Sequence, residues 1–155
     1  MRKYIAKINI PQDWYQLDTG ILGEKLFEHW FELNYQGEKI FQQSADRDYE
    51  GIDFADQKGF TYQVKSTRAR SFTFNRCLDD LSDHLKATFY VFIQIHYKDA
   101  YIESIYTREE ILNLAKQSFK SIVIFFGIFK SSGSFCYRCA YLCFLSRNIG
   151  AINTY

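Results

Sequence analysis

An α/β fold with a mixed central β-sheet and helices packed against it is predicted by three patterns in this chain. Apolar residues recur at helical period between positions 18 and 31, a β-hairpin is written into 52–65, and two strand-like runs at 88–97 and 101–106 lead into a capped helix. At 155 residues the chain is long enough to bury one sizeable core. It carries no linker, internal repeat or low-complexity stretch, so residues 1–155 read as one domain.

The elements follow in order. Residues 1–8 alternate charged and apolar side chains like a strand, and they lack the continuous apolar run of a signal peptide. Leu22, Leu26, Phe27, Trp30 and Phe31 form one stripe of an amphipathic helix, with Asp18 or Thr19 as N-cap. Residues 52–55 and 60–65 are β-prone, and Asp56-Gln57-Lys58-Gly59 between them has the composition of a reversing turn. Side chains alternate across a strand, so Gln63 and Lys65 share one face while Val64 turns into apolar packing. Thr107-Arg108-Glu109-Glu110 is a capping box that opens a helix to about residue 119. Further strands are expected at 122–129 and 135–145. The first of these is apolar but far too short to cross a bilayer, so no membrane partner is expected and the location reads as cytoplasmic.

Composition narrows the function. A net charge of +1 gives no general attraction to polyanions. Its distribution matters more: Lys65, Arg68, Arg70 and Arg76 fall in one segment with no acid between them, a local basic stripe suited to phosphates. Residues 71–75 within it read either as a strand or loop entering a groove, or as a solvated edge strand. The 12 Tyr and 15 Phe supply more apolar surface than a core this size requires, which points to a homo-oligomer, dimer or tetramer. Of the four cysteines, Cys136 and Cys139 form a C-x-x-C pair followed by Cys143. No second pair accompanies them, so they read as small buried thiols rather than as a zinc site. His29, His84 and His96 are isolated, and there is no glycine-rich phosphate loop.

The chemistry concentrates at the hairpin. Asp53, the Gln63 side-chain carbonyl and the Val64 backbone carbonyl are oxygen donors of the kind a hard cation such as Mg²⁺ takes. Lys65 stands beside them as a point charge able to hold an attacking water and to offset negative charge on a phosphorane-like transition state. Glu24, next to the apolar stripe of the helix, is placed to reach the same space. An exposed hairpin with a wet polar face is the plain alternative.

Gly23-Glu24 in a helix, then Ile52-Asp53, then Gln63-Val64-Lys65 with Ser66-Thr67-Arg68 behind it, resembles the PD-(D/E)XK nucleases over roughly residues 20–70. The resemblance implies a restriction-endonuclease-like core and Mg²⁺-dependent hydrolysis of double-stranded DNA. It implies catalytic roles for Glu24, Asp53, Gln63 and Lys65, metal held by Asp53, Gln63, Val64 and Glu24, and DNA contacts from Ser66, Arg68, Arg70 and Arg76. Two departures stand out: Ile52-Asp53 replaces proline-aspartate, and Gln63 replaces the usual acid. Gln63 keeps an oxygen but removes a charge whose interaction at about 4 Å and an effective dielectric near 20 is on the order of 4 kcal/mol, doubled for a divalent ion. Weak metal affinity and a single-metal mechanism are expected. So compact a chain with no accessory domain resembles the group I intron-encoded homing endonucleases of this type, which implies a homotetramer on a long site. A type II restriction endonuclease or a junction resolvase would share the core. A different class, a DNA-binding protein with a decayed site, would take Gln63 as its mark, although retention of Glu24, Asp53 and Lys65 argues against it.

Overall fold

The computed structural model describes residues 4–43, 51–69, 71–74, 78–116 and 142–145. In chain order the strands are β1 (Ala6–Asn9), β2 (Ile40–Gln42), β3 (Phe54–Asp56), β4 (Thr61–Thr67), β5 (Ser71–Phe74), β6 (Phe89–His96), β7 (Asp99–Thr107) and β8 (Leu142–Leu145). Helix α1 is Thr19–Asn34 and α2 is Leu78–His84. A third helix, α3, covers 108–116. Six strands form a mixed sheet in the order β1-β7-β6-β4-β3-β2, and β5 pairs with β8 in a second, two-stranded sheet. Within the larger sheet β4 and β6 run parallel and the other neighbours antiparallel. The expected α/β class with a mixed sheet and flanking helices is what the chain adopts.

The helical stripe explains how α1 docks. Leu22, Leu26, Phe27 and Phe31 are buried against Phe54, Tyr62, Val64, Val91 and Ile93 on one face of the sheet. Each such side chain contributes roughly 1.5–3 kcal/mol on leaving water. Phe27 lies 5.4 Å from the Tyr62 ring and 5.6 Å from Phe54, centroid to centroid. Asp18 occupies the N-cap position, but its side chain makes no capping hydrogen bond. Tyr90 and Phe92 face the other way and pack with Phe72, Leu81, Leu85, Ile111 and Ala115. β6 is therefore buried on both faces, as its nearly unbroken apolar sequence requires.

The capping box forms as expected. The Thr107 N–H donates to the Glu110 carboxylate at 2.7 Å, and the Glu110 N–H donates to Thr107 Oγ1 at 3.3 Å. The hairpin differs in detail from the expected one. β3 begins at Phe54 and runs through Asp56, so the turn lies at 57–60, one residue later than the sequence suggested. Asp56 sets it, because Oδ1 accepts the Lys58 and Phe60 N–H groups, each at 2.9 Å, while Oδ2 accepts the Tyr62 hydroxyl at 2.9 Å. Residues 71–74 form a strand that pairs with β8, and Phe72 is buried edge-on to Phe92 at 5.1 Å. The expected strand at 122–129 and the Cys136/Cys139 pair lie outside the described residues, as does all of 135–145 except β8. Among the described residues no helix is long and apolar enough to cross a membrane.

Candidate functional site

The site begins where β3 separates from β4. The ladder between them contains Phe54–Tyr62 and Ala55–Thr61. The Asp53 N–H still donates to the Tyr62 carbonyl at 2.8 Å. At the next donor position on β4 the partner changes, and the Val64 N–H donates to Asp53 Oδ2 at 2.6 Å. A side-chain carboxylate thus replaces a backbone carbonyl as acceptor, which is why the strand starts two residues later than its β-prone run. In a strand the N–H and C=O of one residue leave on the same edge, so the Val64 carbonyl emerges beside the Asp53 carboxylate.

Lys65 and Gln63 join this edge from one face. They pair in register with Phe92 and Tyr90, on the side of the sheet opposite α1. Burial raises the Asp53 pKa above the ordinary aspartate value, against the Val64 N–H and the Lys65 charge, which both lower it. Burial likewise lowers the Lys65 pKa, against the attraction of Asp53. Each group stabilises the other's charge, and in each case the loss of water outweighs that help. The Gln63 amide lies over Gly51, whose φ of +68° is one that glycine adopts readily. A Cβ at Gly51 would sit 3.0 Å from the nearest atom of the Gln63 amide, so the glycine is what lets the two approach.

Glu24 reaches the region from the α1 side. Gly23, the residue before it, is buried so close to β4 that a Cβ there would lie 2.5 Å from both Cβ and Oγ of Ser66. Half-buried Glu24 accepts a hydrogen bond from Gln42 Nε2 at 3.1 Å. Gln42 ends β2, and the following Gln43 N–H donates to the Asp53 carbonyl at 2.9 Å. The structure brings Asp53, Val64 and Lys65 together, sets Gln63 beside Gly51, and links Glu24 to the Asp53 segment through Gln42.

The expected DNA contacts divide differently. Arg68 is exposed, with its Nε donating to Thr19 Oγ1 at 3.2 Å. Ser66 turns toward α1, its hydroxyl donating to the Thr19 carbonyl at 2.7 Å. Arg70 and Arg76 lie outside the described residues. Gln42 and Gly51 join the site through contacts that no local pattern announces, and Thr19, a candidate N-cap by sequence, accepts hydrogen bonds from Ser66 and Arg68.

Among the described residues no three His, Cys, Asp or Glu side chains stand together as a metal-holding group. A cation at this edge would instead meet Asp53 with two neutral oxygens, the Gln63 amide and the Val64 carbonyl. That all-oxygen set suits a hard ion that keeps several waters, as Mg²⁺ does. The half-buried Asp53 carboxylate supplies charge for it to neutralise. No protein-family model matches the chain, and no curated protein or solved structure matches it either.

Proposed function

We propose that this chain is a Mg²⁺-dependent endonuclease that hydrolyses phosphodiester bonds in double-stranded DNA on a restriction-endonuclease-like core. The observation that carries the reading is the Asp53–Lys65 pair. Two opposite charges are held where burial disfavours both, at a strand edge bearing a backbone carbonyl, and Asp56 already performs the structural work of the turn. Asp53 Oδ2 is taken by the Val64 N–H, and a half-buried acid and ammonium whose charges both stay perturbed beyond such a bond are a mark of reactive sites.

In this reading Asp53, the Gln63 amide and the Val64 carbonyl would hold Mg²⁺, with Glu24 as a further carboxylate on the α1 side. When bound, the ion polarises the phosphoryl oxygen and acidifies water. Lys65 orients the attacking water, whose oxygen bonds to phosphorus as the ester P–O bond breaks; the water's proton passes to solvent, the leaving oxygen takes one from solvent, and the ammonium offsets the charge that accumulates in between. Arg68 holds a neighbouring phosphate. Two copies of the chain serve the two strands of the duplex, and exposed Leu33, Tyr35, Phe41 and Phe60 offer apolar surface for their association. An intron-homing role is the biological setting we favour, with restriction as the alternative.

Incubation with Mg²⁺ and a randomised plasmid library, followed by sequencing of the ends, tests this. A long, rare site supports homing and a site of about four to eight base pairs supports restriction. Intact plasmid with Mg²⁺ or Mn²⁺ at any protein concentration overturns the endonuclease reading. A second reading, a DNA-binding protein that no longer cuts, draws on the neutral Gln63 and on the missing three-ligand cluster among the described residues. It predicts retained duplex binding with no dependence on Mg²⁺.

A further inference from the structure

We infer that Gly23 and Ser66 form a positioning joint that sets the distance of Glu24 from the Asp53 edge, and that Ser66 serves this joint rather than the DNA. The inference rests on the proposed metal-dependent reading and goes beyond it by giving Gly23, Ser66 and Thr19 a task in it.

Three observations meet at one place. Gly23 lies against Ser66 so closely that no side chain fits between α1 and β4: a Cβ would stand 2.5 Å from Ser66 Cβ and Oγ, and 3.6 Å from Val64 Cγ1. The Ser66 hydroxyl closes the contact by donating to the Thr19 carbonyl at 2.7 Å, one helical turn before Gly23. The Thr19 hydroxyl in turn accepts from Arg68 Nε at 3.2 Å, so the strand that carries Lys65 is tied to α1 on both sides of Thr67. The next residue along the helix from the joint is Glu24, and the next-but-one residue down the strand from Lys65 is Arg68's neighbour Thr67. The approach of α1, which carries Glu24, to the strand beside the Asp53 edge is therefore set by a contact with almost no slack.

The size of the effect follows from the contact. Carbon atoms pack at about 3.5–4.0 Å, so an alanine at 23 forces α1 off β4 by roughly 1 Å. A displacement of that size at a reacting group can lower a rate by about 10²-fold. Gly23→Ala is expected to raise the Mg²⁺ concentration for half-maximal cleavage by about tenfold and to lower the rate at saturating metal. Removing the obstructing side chain as well, in Gly23→Ala/Ser66→Gly, is expected to recover most of both losses. In a Glu24→Gln background Gly23→Ala is expected to add little, because the group it displaces no longer carries the charge.

Manganese titration calorimetry on the Lys65→Ala protein reads the metal site without any cleavage. Mn²⁺ affinity is expected to fall about tenfold with Gly23→Ala and to return in the double variant. Ser66→Ala keeps Cβ and removes only the hydroxyl, so it serves should Gly23→Ala fail to fold. Its expected result is a metal affinity about threefold weaker with unchanged duplex affinity and salt dependence. A drop in metal-free DNA affinity for Ser66→Ala would show a phosphate contact and overturn the inference. So would an undiminished Gly23→Ala effect in the Glu24→Gln background, or Mn²⁺ binding indifferent to both positions. A protein that binds no metal at all overturns the proposed function, and this inference with it.

Discussion

Asp53→Asn separates a reactive aspartate from a structural one. The wild-type carboxylate accepts the Val64 N–H at 2.6 Å. Asparagine can accept the same bond through its amide oxygen, exchanging a charge-assisted bond of about 1.5–3 kcal/mol for a neutral one of about 0.5–1.5 kcal/mol. Against that loss of roughly 1 kcal/mol stands relief from burying a charge, the larger influence on Asp53. The two nearly cancel, and the stability of the variant at pH 7 is expected to match wild type within about 1 kcal/mol or to exceed it. Function behaves otherwise. A divalent ion and a carboxylate about 4 Å apart attract by on the order of 8 kcal/mol at an effective dielectric near 20, and if half is lost to dehydration the rate still falls about 10³-fold.

The pH dependence supplies a further check on the same variant. The Asp53 pKa is raised on folding, so between its unfolded value near 4 and its folded value the native state holds a proton that the unfolded chain has released. Wild-type stability from this group is greatest at low pH and falls as pH rises through the folded pKa, where the full penalty of the buried charge applies. The asparagine variant lacks that penalty, so its advantage over wild type should grow from about pH 4 upward and then level off. Urea unfolding of both proteins across pH 3–7, with cleavage measured per folded molecule, reads all of this. A variant destabilised by more than about 3 kcal/mol that still cuts normally would refute the reasoning, as would an advantage that shrinks with rising pH.

Three other outcomes follow from the same geometry. Lys65→Met should abolish cleavage and move the Asp53 titration still higher, because the attraction that lowers it is gone; an unmoved carboxyl midpoint by carbon NMR would mean the two groups are not coupled. Gln63→Glu adds a charge beside Asp53 and should bind Mg²⁺ at least about tenfold more tightly while making the metal-free protein less stable, so its melting temperature should rise more steeply with Mg²⁺ than that of wild type. Asp56→Ala removes the acceptor of two turn N–H groups and leaves the buried Tyr62 hydroxyl without its partner; a loss of about 3 kcal/mol in urea unfolding is expected, with cleavage per folded molecule unchanged.

The parts of this fold that were legible from sequence are those whose signal is local. The stripe from Leu22 to Phe31, the alternation that puts Val64 and Lys65 on opposite faces of the sheet, and the Thr107–Glu110 capping box each lie within a few turns or residues, and each formed. What escaped depends on partners distant in the chain. Ser66 is a DNA contact by resemblance, and its bond to Thr19, 47 residues away, leaves no trace in the local sequence. Gly23 was legible only as half of the Gly23-Glu24 pair, since only the strand packed on it shows why a methyl group cannot be there. β2 is three residues long, too short for alternation to register, and it exists through pairing with β3. The Asp53 position was legible as chemistry but not as geometry: nothing in its sequence announces that its side chain ends a ladder.

The depth of β6 has a consequence for motion. β6 pairs with β4 on one side and β7 on the other, and both of its faces are covered. Local opening in proteins draws on the segments with the fewest buried contacts, and centrally packed strands exchange their amide hydrogens only on global unfolding. The β6 amides should therefore be the slowest to exchange among the described residues. Asp53 lies two strands toward the opposite margin, where short β2 and β3 are held by few rungs. That margin can breathe while the strand behind Lys65 stays shut, so a long polymer could be admitted at a frayed hem without loosening the cloth.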